Sequence, residues 1–156
     1  MNKFLLFVLL CFILFGCGHK DKNNSAVSPV ITKFQELIKK YPDSIGLRLR
    51  YVDALDSLQQ YNSAIDQIDT LIKKDGGNYG LWFKRGKIFE DAKDTNNAIT
   101  SYNSALKIYP SADGQLTVAN LLAEKKDKRA LDICNAILNL KMGREFNAHC
   151  FFISGV

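Results

Sequence analysis

From Ser28 onward, apolar residues recur every three or four positions instead of alternating, which is the spacing of one face of a helix. Val30, Phe34 and Leu37 form one such stripe; Tyr61, Ala64, Ile68 and Leu71 form another. Trp82 with Phe89, and Ala98 with Tyr102 and Ala105, form two more. Turn residues interrupt the stripes at Tyr41-Pro42, Asp75-Gly76-Gly77-Asn78, Asp94-Thr95 and Tyr109-Pro110. The stripes also repeat at long range, with a period of about 34 residues. Ala64 and Ala98 stand one period apart in matching contexts, Tyr61-Asn62-Ser63-Ala64-Ile65 and Thr95-Asn96-Asn97-Ala98-Ile99, and Pro42 and Pro110 lie two periods apart. Such a period fits a short helical hairpin, so the expected fold is an all-α superhelix of stacked antiparallel hairpins, a solenoid built for binding.

The period is kept best from Tyr79 to Ala112, where Trp82, Gly86, Phe89, Ala98, Tyr102, Ala105 and Pro110 are the marked positions. Gly86 and Ala98 carry almost no side chain and let two helices pack at short distance, while the aromatics fill the seams. Asp94 and Thr95 supply a cap for the second helix and Pro110 stops it. In these residues the segment resembles a tetratricopeptide repeat closely: an early aromatic and a small residue on helix A, alanines around an aromatic on helix B, and a proline at the exit. The resemblance implies that the inner wall of the superhelix is formed by helix A side chains lying between the packing positions.

The preceding period, 45–78, keeps Tyr51, Leu55, Tyr61, Ala64, Ile68 and Leu71 but has Arg48 for the aromatic, Val52 at the small position and Gly76 for the exit proline. A slightly wider hairpin is expected there. Residues 28–43 read as a half repeat that caps the stack, opened by Ser28-Pro29 and closed by Tyr41-Pro42, with Val30, Phe34 and Leu37 in the places of Ala98, Tyr102 and Ala105. Residues 113–142 read as a divergent third hairpin with Asp127 as a cap. There Ala130 follows Ala98 by two positions less than a full period, and both missing positions are expected in the connector after Pro110. Residues 145–156 read as the start of another helix A, with Phe151 at an aromatic position and Gly155 at the small one. The pattern breaks off in mid-repeat, as expected of a truncated sequence or of a face covered by a partner chain.

The N-terminus has a different pattern. Met1-Asn2-Lys3 is followed by an apolar run from Phe4 to Phe15 and by Leu14-Phe15-Gly16-Cys17. The run is short of the ~20 residues that span a bilayer, and with its single positive charge it reads as a processed export signal. Leu14 to Cys17 resemble the lipobox of bacterial lipoproteins. That resemblance implies a signal peptide at 1–16, lipid on the Cys17 thiol, and membrane anchoring by several acyl chains. Gly18, and not Asp, directly follows Cys17, so the outer membrane is the implied address. Residues 17–27 are polar without helical period and read as a flexible tether.

Charge changes this picture little. The formal net charge is +5, or +4 after removal of Lys3, and Lys39-Lys40, Lys73-Lys74 and Lys125-Lys126 spread it among helix ends where it suits the dipole. No concentrated basic face suggests nucleic acid. His19 and His149 lack acid or thiol company of recognisable spacing, no glycine-rich phosphate loop is present, and neither catalysis, a metal nor a cofactor is expected. Cys134 reads as a small buried hydrophobe that Cys150 of the next helix could approach.

Applied residue by residue, the resemblance places Leu49, Asp53 and Asp56, then Phe83, Lys87 and Glu90, then Gln115, Ala119 and Leu122 on the inner wall. Leu49 and Phe83 are candidate apolar anchors; Asp53 or Glu90 would attract a basic side chain. Members of the family that clamp a terminal carboxylate use Lys and Asn where this chain has Leu49 and Asp53, so tail recognition of that kind is not implied. The sequence thus points to a lipid-anchored, non-catalytic module that binds an envelope protein or peptide. A structural role with contact, or self-association, through the C-terminal end is the alternative.

Overall fold

A computed structural model describes residues 28–141 and 143–155; the expected signal segment, Cys17 and the tether lie outside them. Eight α-helices follow one another among the described residues: α1 Pro29–Lys40, α2 Ile45–Ser57, α3 Tyr61–Lys74, α4 Tyr79–Asp91, α5 Thr95–Ile108, α6 Ala112–Glu124, α7 Arg129–Asn139 and α8 Arg144–Ser154. Each helix packs chiefly on its neighbours in sequence, and α6 also meets α8. The core is correspondingly a chain of overlapping apolar clusters. One joins α1 to α4 around Val52, Leu55 and Ile68, and a second joins α4 to α7 around Phe89, Ala98 and Tyr102. The last joins α6 to α8 around Ala119, Cys134 and Cys150. This is the quasi-linear architecture of a solenoid.

Local chemistry sets the period. Ser44, Asn78 and Ser111 cap α2, α4 and α6, each side chain accepting the amide three residues on. These A helices all end alike, with Gln59, Lys93 and Lys126 in the left-handed conformation at φ of 58°, 63° and 57°. There the amides of Gln60, Asp94 and Asp127 reach back to the carbonyls of Leu55, Phe89 and Leu122 at 2.8, 2.8 and 2.9 Å. These are Schellman closures made without glycine, at a conformational cost that glycine would avoid. Helix α5 stops at Ile108 ahead of Pro110, and α1 stops at Lys40 ahead of Pro42.

Hairpin width follows the small positions. Helices α4 and α5 make the most extensive contact of any pair, because Gly86 brings the α4 backbone onto the Tyr102 ring. A Cβ built on Gly86 would lie 2.6 Å from Tyr102 Cδ1. Val52 takes that place in α2, fully buried, and the α2–α3 pair is less closely joined, as expected.

Three register expectations are corrected. In the third hairpin the closing bond from Asp127 runs to Leu122, so Leu122 stands where Phe89 does. One residue is therefore missing from the connector and the other from the α6–α7 turn, where the Ala130 amide bonds the Asp127 carbonyl directly. In α1, Ile31 is buried while Val30 is 51% exposed, which shifts the capping stripe by one residue. In α8 the small buried position is Cys150; Gly155 instead closes the helix in the left-handed conformation with open space around it, and Phe151 is exposed.

Candidate functional site

The inner face is a ladder of equivalent positions on the A helices. With Ser44, Asn78 and Ser111 aligned as caps, Leu49, Phe83 and Leu116 share one rung. Asp53, Lys87 and Asn120 share the next, and Asp56, Glu90 and Ala123 the third. The corrected register removes three expected residues from the face. Ala119 and Leu122 are core, at 0% and 3% exposure, and Gln115 occupies the rung of Trp82. Asn120 and Ala123 take their places, while Leu116, on the rung of Leu49 and Phe83, is buried in the core at 6% exposure.

Charge on this face is mostly acidic. Lys84 pairs with Asp53, and Lys87 pairs with Asp91 at 2.8 Å and more distantly with Glu90 at 3.6 Å. Glu90 also accepts the Tyr102 hydroxyl at 2.7 Å, which fixes the carboxylate against α5. Asp56 gains no such partner: its Oδ1 is buried without a hydrogen bond. Burial first, and the charge of Asp91 second, raise its pKa above the ordinary carboxylate value. Lys84 and Lys87 offset part of that rise without bonding the buried oxygen, which stays an unpaired polar atom in the packing.

Next to this acidic ladder, α4, α6 and α8 enclose a groove of about 560 Å³ lined by Glu90, Thr117, Asn120, Leu121, His149 and Phe152, among others. Asn120 and His149 face each other at 2.9 Å, tying α6 to α8 across its floor. The groove offers an acid, an amide and an imidazole beside apolar side chains, so it suits a segment carrying both a cation and an apolar residue. A smaller hollow of about 340 Å³ lies between α2, α3 and α4, with Leu49, Asp53, Leu81 and Lys84 in its wall.

The structure therefore divides the expected inner wall. Leu49 and Asp53 line the smaller hollow and Glu90 the larger groove. Phe83, expected as an exposed anchor, is half-buried instead. It stacks on Tyr79 at 5.5 Å and tilts onto Tyr102 at 4.8 Å, so its ring is part of the packing. The packing set Ala64, Ala98, Tyr102 and Ala105 is buried as expected, and Trp82 is half-buried with its indole donating to the Gly76 carbonyl at 2.9 Å. Arg85, unmarked in the sequence, bonds Asp69 at 2.7 Å and the buried Ser101 at 2.8 Å while its guanidinium lies over Phe89. It joins α3, α4 and α5 through a polar node where an apolar residue would suffice. Among the described residues, no group of three or more His, Cys, Asp or Glu side chains is placed to hold a metal ion. No described helix is long and apolar enough to cross a membrane.

Capped helical hairpins in regular register, stacked neighbour on neighbour around an inner face of A helices, define a superhelical repeat protein. A tetratricopeptide-repeat family model matches residues 81–112, the hairpin with the tightest packing. The mitochondrial import receptor subunit TOM70 of Mus musculus is 24% identical over 144 residues, covering 90% of this chain and 24% of the receptor. Its Homo sapiens counterpart is 23% identical with the same coverage. The chain thus spans about a quarter of the length of these relatives. Among solved structures, MamA 41-end from Desulfovibrio magneticus RS-1 superposes with a TM-score of 0.62 at 16% identity, covering 71% of this chain and 64% of that one. A further MamA crystal structure gives 0.63 at 14% identity, with 80% and 72% covered. At these identities the structural likeness is one of fold. Repeat register, fold and the family match at residues 81–112 agree on a solenoid of helical hairpins with a tetratricopeptide repeat at its centre.

Proposed function

We propose that this protein is a non-catalytic binding module of the bacterial cell envelope, held to the membrane by lipid on Cys17, whose A-helix face captures an extended basic segment of a partner protein. The observation that carries the binding half is the run of Asp53, Asp56 and Glu90 along the A helices, which leads into the groove lined by Glu90, Asn120 and His149. An extended chain laid along this face would set a Lys or Arg against Asp56 or Glu90 and an apolar neighbour against Leu121 and Phe152. The import-receptor name of the sequence relatives supports a receptor role of the same coarse kind. The address rests on the apolar run ending in Leu14-Phe15-Gly16-Cys17, and the absence of Asp after Cys17 favours the outer membrane.

Titration with pools of extended peptides, one fixed on Lys and one on Glu at the central position, tests the binding half. Binding of the Lys pool should exceed that of the Glu pool, weaken as salt rises, and be lost in Ala123→Arg, which fills the groove with like charge for the ligand. Equal binding of the two pools would refute the charge reading. Cys17→Ser should release the protein from the membrane fraction; continued membrane association with an uncleaved signal would refute lipid anchoring.

A second reading, a structural subunit docking through its far end, is favoured by Phe151 and Phe152, which are 47% and 82% exposed on α8. Phe151 does not line the groove. Loss of partner binding in Phe151→Ser, with Ala123→Arg unaffected, would select that reading.

A further inference from the structure

Helix α8 supplies His149, Phe152 and Ile153 to one wall of the groove, yet it is weakly secured. Helix α8 has no side-chain cap at its N-terminus and begins at Gly143 with φ of 122°, whereas at α7 the Asp127 carboxylate accepts the Arg129 amide at 3.0 Å. It also buries the Asn147 Oδ1 without a partner, which costs free energy that a paired group would not. Its only fully buried residue is Cys150. Opposite it on α7 lies Cys134, also at 0% exposure, in the same small cluster with Leu116, Ala119 and Ile137. Both thiols are free, and each is the other's only cysteine neighbour among the described residues.

We propose that Cys134 and Cys150 are a redox-closable pair, and that a disulfide between them staples α8 to α7 and fixes the groove wall. Two thiols on adjoining helices, brought together inside a core rather than at a metal-binding spacing, are suited to pairing with one another. While α8 is docked, the pair is shielded. Burial, and then the Cys150 thiol beside it, push Cys134 up to about 11, which keeps it protonated and unreactive. Opening of α8 carries Cys150 into solvent. There its thiolate attacks a small-molecule disulfide, RSSR, forming a mixed disulfide and releasing RS⁻. As α8 returns and before the site closes, the Cys134 thiol loses its proton to solvent, and its thiolate displaces the second RS⁻ from Cys150 and closes the S–S bond. The protein loses two hydrogens and the two RS⁻ leave as RSH, so two thiols are oxidised and one disulfide is reduced.

The experiment uses the full chain with Cys11→Ser and Cys17→Ser, so that Cys134 and Cys150 are its remaining thiols. It is incubated with oxidised glutathione at neutral pH, and intact mass, peptide mapping and amide hydrogen exchange are followed. The expected product has lost about two mass units, contains a Cys134–Cys150 linked peptide, and exchanges its α8 amides on the order of a hundredfold more slowly than the reduced form. Reduction should restore the original exchange. A persistent glutathione adduct on Cys150, or two free thiols at a time when the α8 amides have fully exchanged, overturns the proposal. Cys134→Ala serves as the internal check: it should stop at the mixed disulfide while keeping the helical circular dichroism of the parent. Because no partner is present, failure here leaves the basic-segment reading of the groove standing, and the reverse also holds.

Discussion

Gly86→Ala is the substitution for which the structure and simple helix propensity give opposite signs. Alanine in a helix interior is favoured over glycine by about 1 kcal/mol, so propensity alone expects stabilisation. The added Cβ would lie 2.6, 2.7 and 2.9 Å from Cδ1, Cε1 and Cγ of Tyr102. Carbon atoms prefer roughly 3.5–4.0 Å, so the ring or the helix must move by close to 1 Å. Tyr102 has little room to yield, being 1% exposed, tied to Glu90 at 2.7 Å and covered by Phe83 at 4.8 Å. Overpacking typically costs about 1–3 kcal/mol, and three ring atoms in a closed site place this case in the upper part of that range. The expected balance is a loss of about 1–2 kcal/mol, or roughly 3–8 °C in melting temperature by circular dichroism. Gly46→Ala is the control, since nothing lies within 4 Å of its Cβ, and it should be neutral or slightly stabilising. Tyr102→Leu, which vacates the contact, should make the Gly86→Ala penalty smaller in the double variant. If Gly86→Ala melts as high as Gly46→Ala, the account of hairpin packing is wrong.

Lys93→Gly should stabilise the fold by about 0.5–1 kcal/mol in urea unfolding, because Lys93 holds φ of 63° at a Schellman closure; a loss of stability would mean its side chain does more than the backbone suggests. Asp56→Asn should stabilise the ligand-free protein by about 1 kcal/mol at neutral pH. The raised pKa means that the folded state resists charging Asp56, so this gain should fade as pH falls through the carboxylate range, where the wild-type group is itself neutral. A gain that persists unchanged at low pH would contradict that cause. Alkaline denaturation supplies a third test: Cys134 is pushed up to about 11 from 9.0, so the folded state keeps a proton that the unfolded state loses. Its contribution should be complete below about pH 9 and lost as pH rises toward 11, and Cys134→Ala should flatten that slope. Tyr102, also raised by burial and then by Glu90, adds a loss of the same sign at higher pH.

What could be read in the sequence is what packing forces. Ala64, Ala98, Tyr102 and Ala105 are constrained in size by a facing helix, so residue type reveals place, and the hairpins follow from them. The third hairpin was legible as a hairpin but not in register. Its A helix has Val118, Ala119, Leu121 and Leu122 all buried, so its apolar residues fit either of two adjacent stripes. The discriminating signal was polar: the caps Ser44, Asn78 and Ser111, the last arriving one position early, put Asn120 and Ala123 on the inner face directly. The same ambiguity moved Val30 for Ile31 in α1, where Val30-Ile31 are adjacent and equally apolar. His149 and Asn120 meet from helices far apart in sequence, and the Arg85 node joins three helices. Neither leaves a periodic trace, because each depends on how helices cross and not on spacing within one.

The most direct test of the binding account is an amide hydrogen-exchange footprint of the Lys-centred peptide pool on the full chain. Slowed exchange should appear on α2, α4, α6 and α8 around Asp56, Glu90, Asn120 and His149, with α3, α5 and α7 unchanged. A footprint confined to the B helices α3, α5 and α7, or none on the A helices at saturating peptide, would contradict it.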